Sequence, residues 1–320
     1  MIKTVFFFFF LSTVLFSNTI LDSYRHYGIK NIEKKLDKEL TKEPYWEKVI
    51  KNSDTTFGYI EKYHSILVCD KSKSVLTLYQ KDKNGKFIQK NLYNAFTGKN
   101  KGNKEHEGDL RTPVGIYTLT NKLSKVDSFY GPLAFVTSYP NLYDRYLGNS
   151  GHGIWIHGLP LDKKRDNFTK GCIAIDNQGL KCLEKEINLD DTILLIYENK
   201  TLSQIDKETL TKIAMTLYKW RYAWKYNDLD KYLSFYAKDF KRFDGKNFNQ
   251  FKQFKTAVFA KKEKKSIIFN NINIIPYPNH KDTYQITFFE HYKSDHYQFN
   301  GPKELLVRIE NNQFKIFSER

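Results

Sequence analysis

The sequence contains few cysteines: only Cys69, Cys172 and Cys182 among 320 residues, at irregular spacing. Three thiols are too few for the disulfide framework that stabilises small exported proteins. Cys69 lies in an apolar, strand-like run and Cys182 in a helix-like segment, so both are predicted to fill the core. Cys172 differs because it follows Gly171 in a polar turn, where a thiol can be exposed as a nucleophile.

Motifs of several common binding classes are also missing. The sequence has no phosphate-binding glycine loop, no nucleic-acid motif and no collagen-like or repeat composition. Its net charge is +16, from 52 Lys and Arg against 36 Asp and Glu, but the basic residues are spread along the whole chain. His291 and His296 lie at an odd spacing without paired carboxylates. We therefore predict no metal site, no cofactor and no nucleic-acid partner.

No apolar run reaches the roughly 20 residues that a membrane-spanning helix needs. The nearest candidate is N-terminal, where Lys3 precedes an apolar run over residues 5–11 and the small Ser17 follows. A basic start, a short apolar stretch and a small-residue exit are typical of a secretory signal peptide. The sequence therefore predicts a signal peptide over residues 1–18 and export of the remaining chain, with an uncleaved N-terminal anchor as the alternative.

Residues 19–58 are predicted to form an N-terminal helical segment. Ile32, Leu36 and Leu40 recur at intervals of four before Pro44 ends the pattern, as expected for an amphipathic helix. A narrow apolar stripe of this kind packs either on a neighbouring domain or on a second copy of the chain. The sequence leaves both alternatives open, and the second would make the protein a homodimer.

Two domains are predicted after this segment. Residues 59–199 carry short β-branched and aromatic runs separated by Gly, Asn, Asp and Pro, which predicts a mostly β domain. Its predicted strands span residues 65–69, 74–79, 90–97, 115–121, 133–138, 153–157, 172–175 and 192–197, with one helix over 177–187 and a mobile polar loop over 98–109. Residues 201–320 show helical patterns followed by alternating ones, which predicts an α+β domain. Its helices are predicted over residues 210–225, 229–236 and 248–259, and its strands over 267–275, 283–292, 304–310 and 314–317.

One pair of residues in the mostly β domain has the composition of a thiol catalyst. Cys172 follows His157 by fifteen residues, and both lie beside glycines. An imidazole can take the thiol proton and leave a thiolate, which is the reactive nucleophile. The amides of Gly171 and Cys172 are predicted to form an oxyanion hole. No carboxylate is evident as a third member, so the Gly158 carbonyl is predicted to fix the imidazole tautomer.

Three sequence motifs, which occur in a fixed order along the chain, indicate that the spacing of Cys172 and His157 is not due to chance. Residues 111–117 (RTPVGIY), 153–158 (GIWIHG) and 169–173 (TKGCI) resemble the signature of the L,D-transpeptidase catalytic domain, also called the YkuD domain. The resemblance covers about residues 60–199. It implies a β-sandwich-like fold, Cys172 as the nucleophile, His157 as the general base, and cell-wall peptides as the substrate.

The sequence departs from the family pattern at two positions. Lys170 stands where the family usually has His, and Ala174 where it commonly has Arg. Lys170 keeps a cation near the site, whereas the loss of Arg leaves the substrate carboxylate to other residues. We predict that Thr169 and Lys170 bind substrate. Two further substrate-binding candidates are Trp155, which shares a strand face with His157, and His152, which an odd offset places at the cleft rim.

The last domain resembles the NTF2-like fold. Residues 220–224 (WRYAW), 228–233 (DLDKYL) and 235–236 (FY) are similar to its opening helices, and a curved sheet would follow. An exported YkuD-like domain joined to such a module resembles the cell-shape-determining L,D-carboxypeptidases of helical Gram-negative bacteria.

This resemblance implies a periplasmic enzyme that shortens peptidoglycan tetrapeptide stems to tripeptides, with stem peptides and glycan strands as partners. An L,D-transpeptidase that forms 3-3 cross-links or attaches wall proteins is the alternative within the same chemistry. A non-catalytic wall-binding scaffold is the alternative of another class.

Overall fold

The computed structural model describes residues 3–161, 166–200 and 205–320, with side chains described from residue 20 onward. The chain begins with helix α1 (Lys3–Glu39), which kinks at Gly28 (φ 73°, ψ 174°), and continues with α2 (Glu43–Lys51). The predicted signal peptide, residues 1–18, lies outside the residues whose side chains are described. Across the described part of the chain, no helix combines the length and the apolarity needed to span a bilayer.

The N-terminal segment packs on the C-terminal domain of the same chain. Ile32 is buried on α1, and Trp46 and Ile50 of α2 join the apolar core of the C-terminal domain. Leu36, expected in the apolar stripe, is instead 45% exposed, whereas Asp37 beside it is buried. The face turned towards the protein therefore contains a carboxylate as well as apolar side chains. Dimerisation through this segment stays a prediction.

The strands of the middle domain close into a barrel. After the two-residue strand β1 (Tyr59–Ile60) they are β2 (Ser65–Asp70), β3 (Val75–Lys81), β4 (Phe87–Phe96), β5 (Gly115–Leu123), β6 (Ala134–Thr137), β7 (Trp155–His157), β8 (Ile173–Ile175) and β9 (Thr192–Tyr197). Their order around the barrel is β2-β3-β4-β8-β7-β6-β5-β9, and β9 pairs with both β2 and β5. The predicted mostly β fold is confirmed. The closed ring follows because the apolar strand β9 finds hydrogen-bonding partners on both of its edges.

Two helices accompany the barrel strands: α3 (Leu142–Leu147) and α4 (Asn177–Glu186). The Asp176 side chain caps α4 by accepting a hydrogen bond from the Gly179 amide, so the helix begins directly after β8. Leu180 and Leu183 of α4 pack into the barrel core. The prediction that Cys182 fills the core is wrong. A helix this short buries only one face, and Cys182 lies on the exposed one, whereas Cys69 in β2 is fully buried as predicted.

The C-terminal domain has helices first and then a sheet, as predicted. Its elements are α5 (Lys207–Lys225), α6 (Leu229–Ser234), β10 (Tyr236–Arg242), α7 (Phe248–Ala260), β11 (Ser266–Pro276), β12 (Thr283–Lys293), β13 (Gln298–Glu310) and β14 (Gln313–Glu319). The sheet order is β1-β11-β12-β13-β14-β10. Strand β10, which pairs in parallel with β14, was not predicted. Strand β1 belongs to this sheet, since Tyr59 pairs with Ile274, although residue 59 was predicted to begin the mostly β domain.

A buried polar contact joins the barrel to the C-terminal sheet. The Asn141 side chain, which caps α3, donates hydrogen bonds to the Tyr277 hydroxyl (2.8 Å) and to the Ile116 carbonyl (2.9 Å). The ring of Tyr143 packs edge-on against Tyr277 at 4.6 Å between centroids. The domains therefore meet through matched hydrogen bonds and aromatic packing, which gives the contact a defined geometry.

The C-terminal domain also contains a group of buried charged side chains. Glu290 and Glu319 are 3% and 2% exposed, Lys255 is 9% exposed, and Lys303 lies 3.4 Å from Glu319. Within the described part of the chain, Oε1 of Glu290 has no hydrogen-bond partner. Burial raises the pKa of Glu290 to about 7, against the opposing pull of Lys303 and Lys255, and it lowers the pKa of Lys255 to about 8.

Replacement of Glu290 with glutamine is expected to remove a pH-dependent loss of stability. The folded state holds the Glu290 proton more tightly than the unfolded state. The unfolding free energy of the wild type therefore falls by about 3 kcal/mol between pH 4.5 and pH 7, where the unfolded chain has released this proton and the folded chain still holds it. Urea unfolding at pH 5 and pH 8 should show Glu290→Gln gaining about that much relative to the wild type at the higher pH. Glu47→Gln, at an exposed glutamate, is the control and should show no such gain. If Glu290→Gln and the wild type differ in unfolding free energy by the same amount at both pH values, the raised pKa of Glu290 would be contradicted.

Candidate active site

The turn that carries Cys172 is shaped by Thr169 and Gly171. The Thr169 hydroxyl donates to the Cys172 carbonyl (2.6 Å) and accepts from the Gly171 amide (3.0 Å). Gly171 has φ +137°, and a Cβ atom there would lie 2.9 Å from the Arg111 carbonyl oxygen. Only glycine fits this conformation and this close approach. The turn thus rests on the backbone of the segment that begins the RTPVGIY block.

The hydrogen bonds of this turn bear on the roles predicted for Gly171 and Thr169. The Gly171 amide is engaged within the turn, so the oxyanion prediction rests on the amide of Cys172 rather than on both amides. Thr169 is 2% exposed and uses its hydroxyl inside the same turn. Its hydroxyl therefore shapes the turn that carries Cys172, and a contact of Thr169 with substrate stays a prediction.

His157, at the end of β7, is held in one tautomer by its own neighbour. Its ring is 1% exposed, and Nδ1 lies 2.7 Å from the Gly158 carbonyl oxygen. A carbonyl only accepts hydrogen bonds, so Nδ1 carries the proton and Nε2 is the acceptor nitrogen. The Tyr130 ring packs edge-on against the imidazole at 5.0 Å between centroids. The predicted role of the Gly158 carbonyl agrees with this contact.

Cys172 and His157 line the same cleft. The cleft has a volume of about 310 Å³ and is lined by Phe129, Tyr130, His157, Asp166, Phe168, Thr169, Lys170 and Cys172. Cys172 is half-buried, with Sγ 3.5 Å from the Gly153 carbonyl oxygen. The structure therefore brings a partly accessible thiol and an oriented imidazole to one aromatic-lined site, as thiol catalysis requires.

The remaining predicted residues lie at different distances from this cleft. Lys170 lines it, whereas Trp155 is not among the described lining residues and packs against one of them, Tyr130, at 5.2 Å between ring centroids. His152 directly precedes Gly153. Its side chain is 81% exposed, and its Nδ1 lies 3.7 Å from a carboxylate oxygen of Glu107. Ala174 is fully buried and pairs with His157 in the sheet, so the position at which the sequence departs from the family pattern lies beside the strand that carries the imidazole.

The loop over residues 98–109, predicted to be mobile, is held by buried polar contacts. Lys104 and Asp109 form a buried ion pair at 2.7 Å, and the Lys71 ammonium donates to the Gly102 carbonyl (2.6 Å). Burial alone would raise the pKa of Asp109. The Lys104 ammonium and the backbone amides that donate hydrogen bonds to the Asp109 carboxylate instead lower its pKa to about 2. The Ser150 amide in turn donates to the Glu105 carbonyl (2.9 Å). This loop therefore supports the segment that leads to Gly153.

Sequence reasoning missed the aromatic side of the cleft. Phe129 and Tyr130 belong to a short 3₁₀ turn (Ser128–Tyr130), and Phe168 precedes the nucleophile turn. No local pattern assigns these residues to a site, because each is an ordinary aromatic in a loop. For the residues that the structure describes, no group of three or more His, Cys, Asp and Glu side chains gathers as a metal site would.

Comparison with known proteins agrees with this architecture. The family model of the L,D-transpeptidase catalytic domain (YkuD) matches residues 64–200, and that of the Cds6 C-terminal NTF2-like domain matches residues 212–320. The helical cell shape determining protein Pgp2 of Campylobacter jejuni is 37% identical with a TM-score of 0.80, over 88% of this chain and 99% of that one. Bd1075 of Bdellovibrio bacteriovorus is 27% identical with a TM-score of 0.66, over 84% and 96%.

A curated relative matches a shorter region. The candidate L,D-transpeptidase YafK of Escherichia coli strain K12 is 37% identical over 79 residues, which is 25% of this chain and 29% of YafK. The chain thus matches less than a third of the length of this relative. The protein belongs to the L,D-transpeptidase (YkuD) family and has a C-terminal NTF2-like domain. Its architecture is that of the helical cell-shape determinant Pgp2.

Proposed function

We propose that the protein is a periplasmic L,D-carboxypeptidase that removes the terminal D-Ala from peptidoglycan tetrapeptide stems and so contributes to cell shape. The observation that carries the proposal is the shared cleft of Cys172 and His157, with Nδ1 of the imidazole held by the Gly158 carbonyl. The similarity to a cell-shape-determining protein over nearly the whole chain supports the biological role. The predicted signal peptide supports export to the periplasm.

The first half-reaction would transfer the stem peptide to the thiol. Nε2 of His157 takes the Cys172 proton, and Sγ attacks the carbonyl carbon at the L-centre of meso-diaminopimelate. The oxyanion that forms is stabilised by the Cys172 amide. The bond to the D-Ala nitrogen then breaks, the imidazolium protonates the departing amine, and a thioester remains on Cys172.

The second half-reaction would release the tripeptide. Water gives a proton to Nε2 of His157 and attacks the thioester carbonyl, the carbon–sulfur bond breaks, and the proton returns to the Cys172 sulfur. Lys170, a cation among the described residues that line the cleft, holds a carboxylate of the stem peptide at a site where the family commonly has an arginine at the position of Ala174. The same thioester attacked by an amine of a second stem would give a 3-3 cross-link instead.

Mass spectrometry of reaction products distinguishes these outcomes. The mature protein is incubated with purified disaccharide tetrapeptide and, separately, with intact cell wall. A carboxypeptidase converts tetrapeptide to tripeptide with release of one alanine and forms no dimers. Cross-linked dimers would instead make the protein a transpeptidase, and unchanged substrates would favour the wall-binding scaffold.

A further inference from the structure

Asn177 links the segment that carries the nucleophile to the loop that follows the base. It is the first residue of α4, five residues after Cys172, and its side chain reaches the backbone of Leu159. Nδ2 donates to the Leu159 carbonyl (3.1 Å), and Oδ1 accepts from the Leu159 amide (2.9 Å). One side-chain amide thus binds both polar groups of a single residue, and these partners fix which amide atom is oxygen.

The peptide between His157 and Leu159 is constrained on each side. The Gly158 amide donates to the Tyr130 carbonyl (2.9 Å), and the Gly158 carbonyl accepts from Nδ1 of His157 (2.7 Å). With Leu159 held by Asn177, the direction of the Gly158 carbonyl is set by hydrogen bonds before and after it. The imidazole orientation depends in turn on that carbonyl.

Close packing explains why residues 131 and 158 are both glycine. A Cβ atom at Gly158 would lie 2.2 Å from Oδ1 of Asn177, and one at Gly131 would lie 2.5 Å from the same oxygen. Real side chains do not approach this closely, so the Asn177 amide occupies the space that both missing side chains leave. The amide is therefore a fitted part of the loop rather than a surface group.

We propose that Asn177 is a positioning residue that fixes the Gly158 carbonyl and, through it, the tautomer and ring orientation of His157. The inference rests on the proposed function for its catalytic meaning. Since Asn177 and Cys172 share one short segment, this contact also sets the imidazole relative to the thiol. Loss of the amide leaves both polar groups of Leu159 without this partner, and the Gly158 carbonyl is then free to turn away from Nδ1.

The test compares Asn177→Ala and Asn177→Asp with Gln178→Ala, all in a Cys182→Ala background. Gln178 is the exposed neighbour on the same helix, so its variant is the matched control. Two properties are measured: kcat and KM for D-Ala release, and the rate of Cys172 alkylation by iodoacetamide between pH 5 and pH 9. Cys69 is buried, so the background leaves Cys172 as the accessible cysteine among the described residues.

Asn177→Ala is expected to lower kcat about 10- to 100-fold with KM changed by less than about threefold, since partners that orient a reacting group have effects of this size. Cys172 alkylation should slow near neutral pH, with its pH profile moved to more alkaline values, because a misoriented imidazole assists thiol deprotonation poorly. Asn177→Asp keeps an oxygen for the Leu159 amide but loses the N–H donor, so it should show the same changes to a smaller extent. Gln178→Ala should match the background.

A folded Asn177→Ala variant with wild-type kcat and alkylation profile would overturn the inference. A loss of kcat with an unchanged alkylation profile would also overturn it, because the residue would then not act through the thiol–imidazole pair. If Asn177→Ala does not fold, Asn177→Asp decides by the same criteria. Alkylation needs no substrate, so failure of the proposed function, seen as no D-Ala release by the wild type, is distinguishable from failure of this inference.

Discussion

Replacement of Cys172 with alanine is expected to abolish D-Ala release and leave the fold intact. The thiol is the only group in the cleft that the mechanism uses to form a covalent intermediate, so its loss should lower kcat at least about 1,000-fold. Cys172 is half-buried, and alanine keeps its Cβ, so the thermal unfolding midpoint should change little. Liquid chromatography of the disaccharide tetrapeptide after overnight incubation measures the residual rate.

Cys182→Ala provides the matched control for this experiment. Cys182 is an exposed thiol on the outer face of α4, ten residues after Cys172, so its loss should leave the rate unchanged. This pair of variants separates a specific nucleophile from a general requirement for thiols. Retention of wild-type activity by Cys172→Ala would reject the covalent mechanism, and a wild-type cellular phenotype of the inactive variant would favour the scaffold.

The presence of His157 and Cys172 in one cleft could be predicted from sequence because the signal of this pair is local. His157 and Cys172 each lie at a strand end within a short glycine-containing block, and the order of the blocks carries the family resemblance. The groups that complete the site are not local. Tyr130 comes from a loop before β6, and Asn177 acts through a backbone group of Leu159. Such contacts depend on tertiary folding, which a reading of periodicity does not include.

The same limit explains where the observed fold differs from the predicted one. Strands β2 to β9 were predicted because apolar β-branched runs bounded by turn residues are recognisable along the chain. Strand β10 was missed because it directly follows α6, and its partner β14 lies at the far end of the sequence. The hydrogen bond from the Gly171 amide to the Thr169 hydroxyl is likewise visible only in three dimensions.

The N-terminal segment shows a further interaction hidden from the sequence. Asp37 of α1 is buried and binds three side chains of α5 and its end: Arg221 at 2.9 Å, Lys225 at 2.6 Å and the Tyr226 hydroxyl at 2.8 Å. Burial alone would raise the pKa of Asp37, but Lys225, Arg221 and Tyr226 lower it below the ordinary value. The stabilisation from this pairing is therefore fully present above the ordinary pKa of 3.8, and it is lost as the pH falls through the lowered pKa of Asp37 in the folded protein.

Replacement of Asp37 with asparagine is expected to cost about 3 to 5 kcal/mol of unfolding free energy at pH 7, the typical effect of removing one partner from a buried ion pair. The side chains of Arg221 and Lys225 are only 7% and 6% exposed, so two cations would remain buried without their carboxylate. Glu33→Gln is the matched control. Glu33 also binds Lys225, but its side chain is 50% exposed, so this change should cost less than about 1 kcal/mol.

Urea unfolding followed by tryptophan fluorescence measures both variants, because Trp46 and Trp220 lie in the core that this contact covers. Light scattering at the same protein concentrations reports the oligomeric state. If the segment packs within its own chain, Asp37→Asn loses stability at every concentration without a change in mass. If the segment instead joins two chains, the variant dissociates a dimer and the stability difference depends on concentration. A loss no larger than that of Glu33→Gln would show that the buried pair does not hold the segment in place.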